Sequence, residues 1–92
     1  MPRTVHNHRD KNEPALLRLA RQLGIHWIEA GPLDGWIYNG HWTPVEIKNP
    51  DGKNRLEPGQ KDFIALCITW DWPYEIWRTD EDVIRCAQAR AR

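Results

Sequence analysis

From Glu13 to Leu23 the apolar positions Leu16, Leu19, Ala20 and Leu23 recur three and four apart, with Arg18, Arg21 and Gln22 off that stripe. That period predicts an amphipathic helix. Pro14 suits its first turn, where a missing N–H does no harm, and Gly24 suits the position just past its end. The N-cap is open between Asn12, the better capping residue, and Glu13, which resists helical ψ because a proline follows it. Glu13 lies three before Leu16, on the side of the buried stripe. Ile25 to Ala30 alternates weakly and reads as a strand, and Gly31-Pro32 as a turn. Two short strand-like runs follow between Leu33 and Lys48, joined through Tyr38-Asn39-Gly40-His41. Asn-Gly is a strong hairpin signal, because tight turns between strands need positive φ.

Asn49 to Pro58 is a polar loop punctuated by Asp51-Gly52 and Pro58-Gly59. A second helix is expected from Pro58 or Gly59, with Phe63, Leu66, Cys67 and Trp70 as its apolar stripe and Gln60 leaning to the same side. Asp71-Trp72-Pro73 breaks it, and Tyr74 to Arg78 reads as a fourth strand. Thr79 can cap a last helix whose opening acids Asp80, Glu81 and Asp82 complement the helix dipole, with Arg85, Arg90 and Arg92 towards its other end. The order α-β-β-β-α-β-α predicts an α/β or α+β fold, a small mixed sheet covered by helices.

The 92 residues suffice for one domain, 1–92. Within it, 1–10 reads as a polar N-terminal arm, 11–84 as the core and 85–92 as a basic C-terminal helix end. Thirteen basic residues balance thirteen acidic ones, so no general basic coat for nucleic acid exists. The charge is uneven all the same: Arg3, Arg9 and Lys11 crowd one end and Arg85, Arg90 and Arg92 the other. Basic termini around an acidic centre suit a polyanionic substrate, or simply keep chain ends solvated. Cys67 and Cys86 have neither a zinc spacing nor a disulfide framework, and Cys67 reads as a small buried hydrophobe. No apolar run spans a membrane and no signal peptide is present. The expected setting is the cytoplasm.

The candidate chemistry lies at Asp34 and at Glu46-Ile47-Lys48. Two carboxylates side by side repel unless a cation joins them, and a hard divalent cation such as Mg²⁺ takes oxygen ligands. A neighbouring lysine can steady developing negative charge. The register constrains this pairing. With a strict two-residue Asn39-Gly40 loop, Asp34 falls opposite Val45, and a slip of one residue reverses every side chain. Asp34 and Glu46 share a cation only if the hairpin has a bulge or an odd-length loop, and one of these is expected, with Pro44 and Gly35 as candidates to mark the slip. Glu46 and Lys48 share one strand face; Val45 and Ile47 go to the core on the other.

A helix bearing Glu13, then Asp34, then Glu46-Ile47-Lys48, then Leu56-x-Pro58-x-Gln60 opening a helix, resembles the PD-(D/E)xK nuclease superfamily and, more narrowly, compact phage-type members of the VRR-nuclease family. The resemblance covers roughly residues 10 to 84 and departs from the pattern at Pro32-Leu33-Asp34, where Leu33 separates the proline from the acid. It implies a restriction-endonuclease-like core. It further implies that Asp34, Glu46 and the Ile47 carbonyl bind Mg²⁺ or Mn²⁺, with Glu13 reaching the ion or its water. Lys48 orients the attacking water and stabilises the pentavalent phosphorus, and Gln60 supports the site. The implied function is a homodimeric endonuclease of branched DNA such as four-way junctions, in a bacterial or phage-infected cell. Lys53, Arg55 and Lys61 are the candidates for backbone contacts.

Two other readings stand beside it: a DNA-binding or assembly module that keeps the fold without chemistry, and a sequence-specific restriction-type nuclease, for which no separate recognition domain is visible. Of the six tryptophans, Trp27, Trp36, Trp42 and Trp77 fall in strand patterns and are expected in the core or a dimer contact, while Trp70 and Trp72 could serve either core or base stacking. His6 and His8 have the wrong spacing from the cysteines for a known zinc finger.

Overall fold

A computed structural model describes residues 11–50 and 56–90. The elements follow the expected order: α1 (Glu13–Gln22), β1 (Trp27–Ile28), β2 (Gly35–Tyr38), β3 (Trp42–Ile47), α2 (Pro58–Thr69), β4 (Glu75–Trp77) and α3 (Asp80–Arg90). The fold is mixed α/β. One sheet holds the four strands in the order β1-β2-β3-β4; the first two pairings are antiparallel, and β3 runs parallel to β4. The first and fourth strands are shorter than the patterns suggest.

α1 ends as Gly24 foretells. The N–H of Ile25 donates to Ala20 O at 2.9 Å and that of Gly24 to Arg21 O at 3.0 Å, while Gly24 takes φ 82°. This Schellman arrangement satisfies carbonyls that the helix itself leaves unpaired. α2 closes in the same way on a residue that is not glycine. Trp72 N–H donates to Cys67 O at 2.7 Å and Asp71 N–H to Ile68 O at 3.3 Å, with Asp71 at φ 57°. A left-handed aspartate costs energy that glycine would not.

The hairpin has a three-residue loop. Tyr38 pairs with Trp42, Ile37 with Thr43, Trp36 with Pro44 and Gly35 with Val45. Gly40, at φ 103°, supplies the positive φ, and Thr43 Oγ1 ties the loop down by donating to Asn39 Oδ1 at 2.9 Å. Pro44 lies one residue before the β4 pairing begins at Val45, where β3 has a neighbour on one side only and a missing N–H is tolerated.

The two faces of the sheet differ. Ile37, Val45, Ile47 and Trp77 form one apolar face and pack against Leu16 and Ala20 of α1 and Val83 and Cys86 of α3. Trp27 lies beside Trp77 with ring centroids 5.9 Å apart. A Cβ on Gly35 would overlap the Trp27 ring, so glycine here permits close packing. α2 covers the opposite face, where Phe63 meets Trp36 edge-on at 6.2 Å.

The buried positions of α2 are Ile64 and Cys67. This corrects the expected stripe, because Leu66 and Trp70 are exposed. Gln60, Ile64 and Cys67 share one helical face, and the tie between Gln60 and β3 described below rotates that face onto the sheet. Cys67 and Cys86 are both buried free thiols, and burial pushes the Cys67 thiol up from its ordinary range, although a backbone hydrogen bond pulls the other way.

Candidate active site

The odd-length loop decides which residues meet. The regular pairing of β2 with β3 ends at Gly35 and Val45, and Asp34 stands immediately before it. Asp34 N–H donates to Val45 O at 3.0 Å, and Asp34 Oδ2 accepts from Ile47 N–H at 2.7 Å. A carboxylate held by a backbone N–H is fixed in orientation. In a strand the N–H and C=O of a residue point to the same neighbour. The Ile47 carbonyl therefore faces the side where β2 has already ended, next to Asp34.

Glu46 and Lys48 share the face turned towards α2. Both are buried, at 2 % and 7 % exposure, and Lys48 Nζ stands 3.3 Å from Glu46 Oε2. Removing water from such a pair is costly, and the loss is offset only where geometry and further hydrogen bonds are good. Gln60 provides one. Its Nε2 donates to Glu46 Oε1 at 3.1 Å, and its Oε1 accepts from Glu57 N–H at 3.0 Å, at the start of α2. Gln60 thus closes the start of α2 and ties it to Glu46 in one arrangement.

Asn12 has a role that the sequence pattern did not disclose. It stands at the N-cap of α1, but its side chain makes no cap hydrogen bond. Instead Nδ2 donates to Lys48 O at 3.0 Å and to Arg78 O at 2.8 Å. It thus joins the ends of the parallel strands β3 and β4 to the start of α1. Its Oδ1 is buried without a hydrogen-bond partner, a cost tolerated mainly where function or architecture demands it. The only sequence signal was an Asn at a helix start, which ordinarily means a cap.

Glu13, the next residue, is 3 % exposed, unusual for a carboxylate in a first helical turn. It belongs to the helix on the far side of the sheet from α2, at the strand ends that Asn12 fastens. Lys61 is exposed on α2, next to Gln60. Lys53 and Arg55 lie outside the described residues, as do the arm at 1–10 and Arg92. Among the described residues no three His, Cys, Asp or Glu side chains gather as a metal cage.

The donor set nevertheless suits Mg²⁺. That ion is commonly held by one or two carboxylates, keeps several waters and takes substrate phosphate oxygens, rather than sitting in an all-protein cage. Asp34, just before β2, and Glu46 on β3 would supply the two carboxylates, with the Ile47 carbonyl as a main-chain oxygen. Compared with known proteins, the chain matches no family model, no curated sequence and no solved structure. The functional reading therefore rests on these residues and their arrangement.

Proposed function

We propose that this chain is a divalent-metal-dependent endonuclease that hydrolyses DNA phosphodiesters, selective for branched DNA such as four-way junctions. The observation that supports the reading is the Asp34 carboxylate held by the N–H of Ile47, the residue between Glu46 and Lys48, with Lys48 Nζ 3.3 Å from Glu46 Oε2. Asp34, Glu46 and the Ile47 carbonyl would hold Mg²⁺ or Mn²⁺. When bound, that ion supplies Lewis acidity at the phosphoryl oxygen and lowers the pKa of a coordinated water.

The chain's own residues do the remainder. The Ile47 N–H fixes the Asp34 carboxylate, and Gln60 fixes Glu46 from the start of α2. The Lys48 ammonium, poorly screened because it is buried, offsets negative charge that develops on phosphorus oxygens. Asn12 holds the main chain of Lys48 and so the base of that side chain. Two symmetric cuts in a junction need two such sites, which a homodimer supplies. Lys53, Arg55 and Lys61 are the proposed backbone contacts.

A second reading has its own support. Both Glu46 oxygens are already engaged, by Lys48 and by Gln60, as they would be in a structural network within a DNA-binding or assembly module. Cleavage of a labelled four-way junction beside a linear duplex of the same sequence, with Mg²⁺, Mn²⁺ or EDTA, separates the two. Metal-dependent cutting of the junction alone supports the proposal. Cutting of both substrates removes the branch selectivity. Absence of cutting by folded protein, together with a melting temperature indifferent to metal, favours the module.

A further inference from the structure

We propose that the groove next to Glu46 seats one unstacked nucleobase of the strand being cut, an inference that rests on the nuclease reading above. Trp42, Pro44 and Glu46 lie two apart along β3 and share the face under α2. Successive residues on one strand face are roughly 6.6 Å apart, so the groove begins a single step from the Glu46–Lys48 pair. It is a cavity of about 330 Å³ whose walls include Trp36, Trp42 and Pro44 of the sheet, Phe63 of α2, and Trp72 from the turn after it. α2 thus walls both the groove and, through Gln60, the polar site.

The chemistry of the lining points to a flat aromatic ligand. Aromatic side chains give bases a platform that is indifferent to sequence, because every base has a π-face. The volume is at the lower end of the roughly 300–1,000 Å³ typical of small-molecule sites, which suits one ring system. Trp42 and Trp72 are each 52 % exposed, and Trp72 follows directly on the left-handed Asp71. Strained backbone of this kind is often retained where it aims a functional side chain. A phosphate beside Lys48 and the base of an adjoining nucleotide would occupy the two ends of one continuous surface. Branch points supply what a regular duplex lacks, a base free to leave its stack.

The test is fluorescence anisotropy in EDTA, where nothing is cut, with a short oligothymidine and with the same backbone made abasic. The wild type should favour the base-bearing strand on the order of ten-fold. Trp72→Ala and Trp42→Ala should bring that ratio close to one without changing affinity for the abasic strand, and Trp72→Phe should keep most of it. Equal binding of both strands by the wild type, no binding of either, or a ratio intact in both alanine variants would overturn the proposal. So would a ratio intact in variants that sediment as monomers while the wild type sediments as a dimer, because the groove would then belong to a second copy. Junction cleavage by the same wild-type preparation separates this inference from its premise. Base preference without cutting sinks the nuclease reading alone; cutting without base preference sinks the groove alone.

Discussion

Gln60 joins the start of α2 to the buried carboxylate of Glu46: it donates 3.1 Å to Glu46 Oε1 through Nε2 and accepts 3.0 Å from Glu57 N–H through Oε1. One amide therefore holds a helix end and a candidate metal ligand in a single geometry. An amide can do both, since one of its ends donates and the other accepts.

Replacing Gln60 separates these uses. Gln60→Ala loses both bonds and should cost about 1–3 kcal/mol in denaturant unfolding. Gln60→Glu keeps an acceptor for the Glu57 N–H but sets a second carboxylate against Glu46. Its melting temperature should rise more on adding Mg²⁺ than that of the wild type. An equal rise in the two proteins would count against a cation site at Glu46.

Lys48→Met leaves Glu46 buried without its ammonium and should destabilise by roughly 3–5 kcal/mol, while Lys48→Met combined with Glu46→Leu should recover most of that loss. Neither variant should cut DNA. Urea unfolding and junction cleavage read the two effects separately. A stable double variant that still cuts would exclude the pair from catalysis.

Asp34→Asn keeps the size of the side chain and an acceptor for the Ile47 N–H but removes the charge. The fold should hold, DNA binding should persist and cutting should disappear. Mg²⁺ or Mn²⁺ should raise the melting temperature of the wild type and not of this variant, as mass action requires of an ion bound only by the native state. Loss of DNA binding in step with cutting would argue against a metal-ligand role.

Gly35→Ala should destabilise by about 1–3 kcal/mol, because the new methyl group meets the Trp27 ring in a filled core. A melting temperature equal to that of the wild type would show that Trp27 can move aside.

The carboxylate of Asp82 governs part of the acid response. Burial alone would raise its pKa, but the N–H groups of Arg78 and Thr79, at 2.7 and 3.1 Å, and the Arg85 guanidinium hold it below the ordinary value. A depressed native pKa means that the unfolded chain binds the proton more readily. The contribution is complete above the unfolded value of about 4 and disappears as pH falls through the lower native value. Glu75 acts in the opposite sense: burial raises its pKa despite a hydrogen bond from Trp77, so its contribution falls as pH rises from the ordinary carboxylate value through the raised native one. The stability gap between wild type and Asp82→Asn should be widest near neutrality and close in acid. A gap that does not change with pH would assign no such role to the Asp82 charge.

The hydrophobic pattern carried the element order, the limits of α1 and α2, and the core residues of α1 and β3, because periods of 3.6 and 2 record which side of a helix or strand is buried. Gly24 marked a helix end because left-handed backbone favours glycine, and a cation shared by Asp34 and Glu46 called for a bulge or an odd-length loop, of which the hairpin has the three-residue loop. No local pattern could reveal what depends on partners distant in the chain. Asn12 spends its amide on Lys48 and Arg78 rather than on its own helix, and Gln60 turns α2 so that Ile64, rather than Leu66 or Trp70, is buried. Trp42, expected in the core or a dimer contact but half exposed, and Trp72, open between core and base stacking, become two walls of one groove. Sequence by itself determined which segments have a buried side. The tertiary structure decided which side chains face each other, because a hydrogen bond or a packed ring depends on distance in space rather than on separation along the chain.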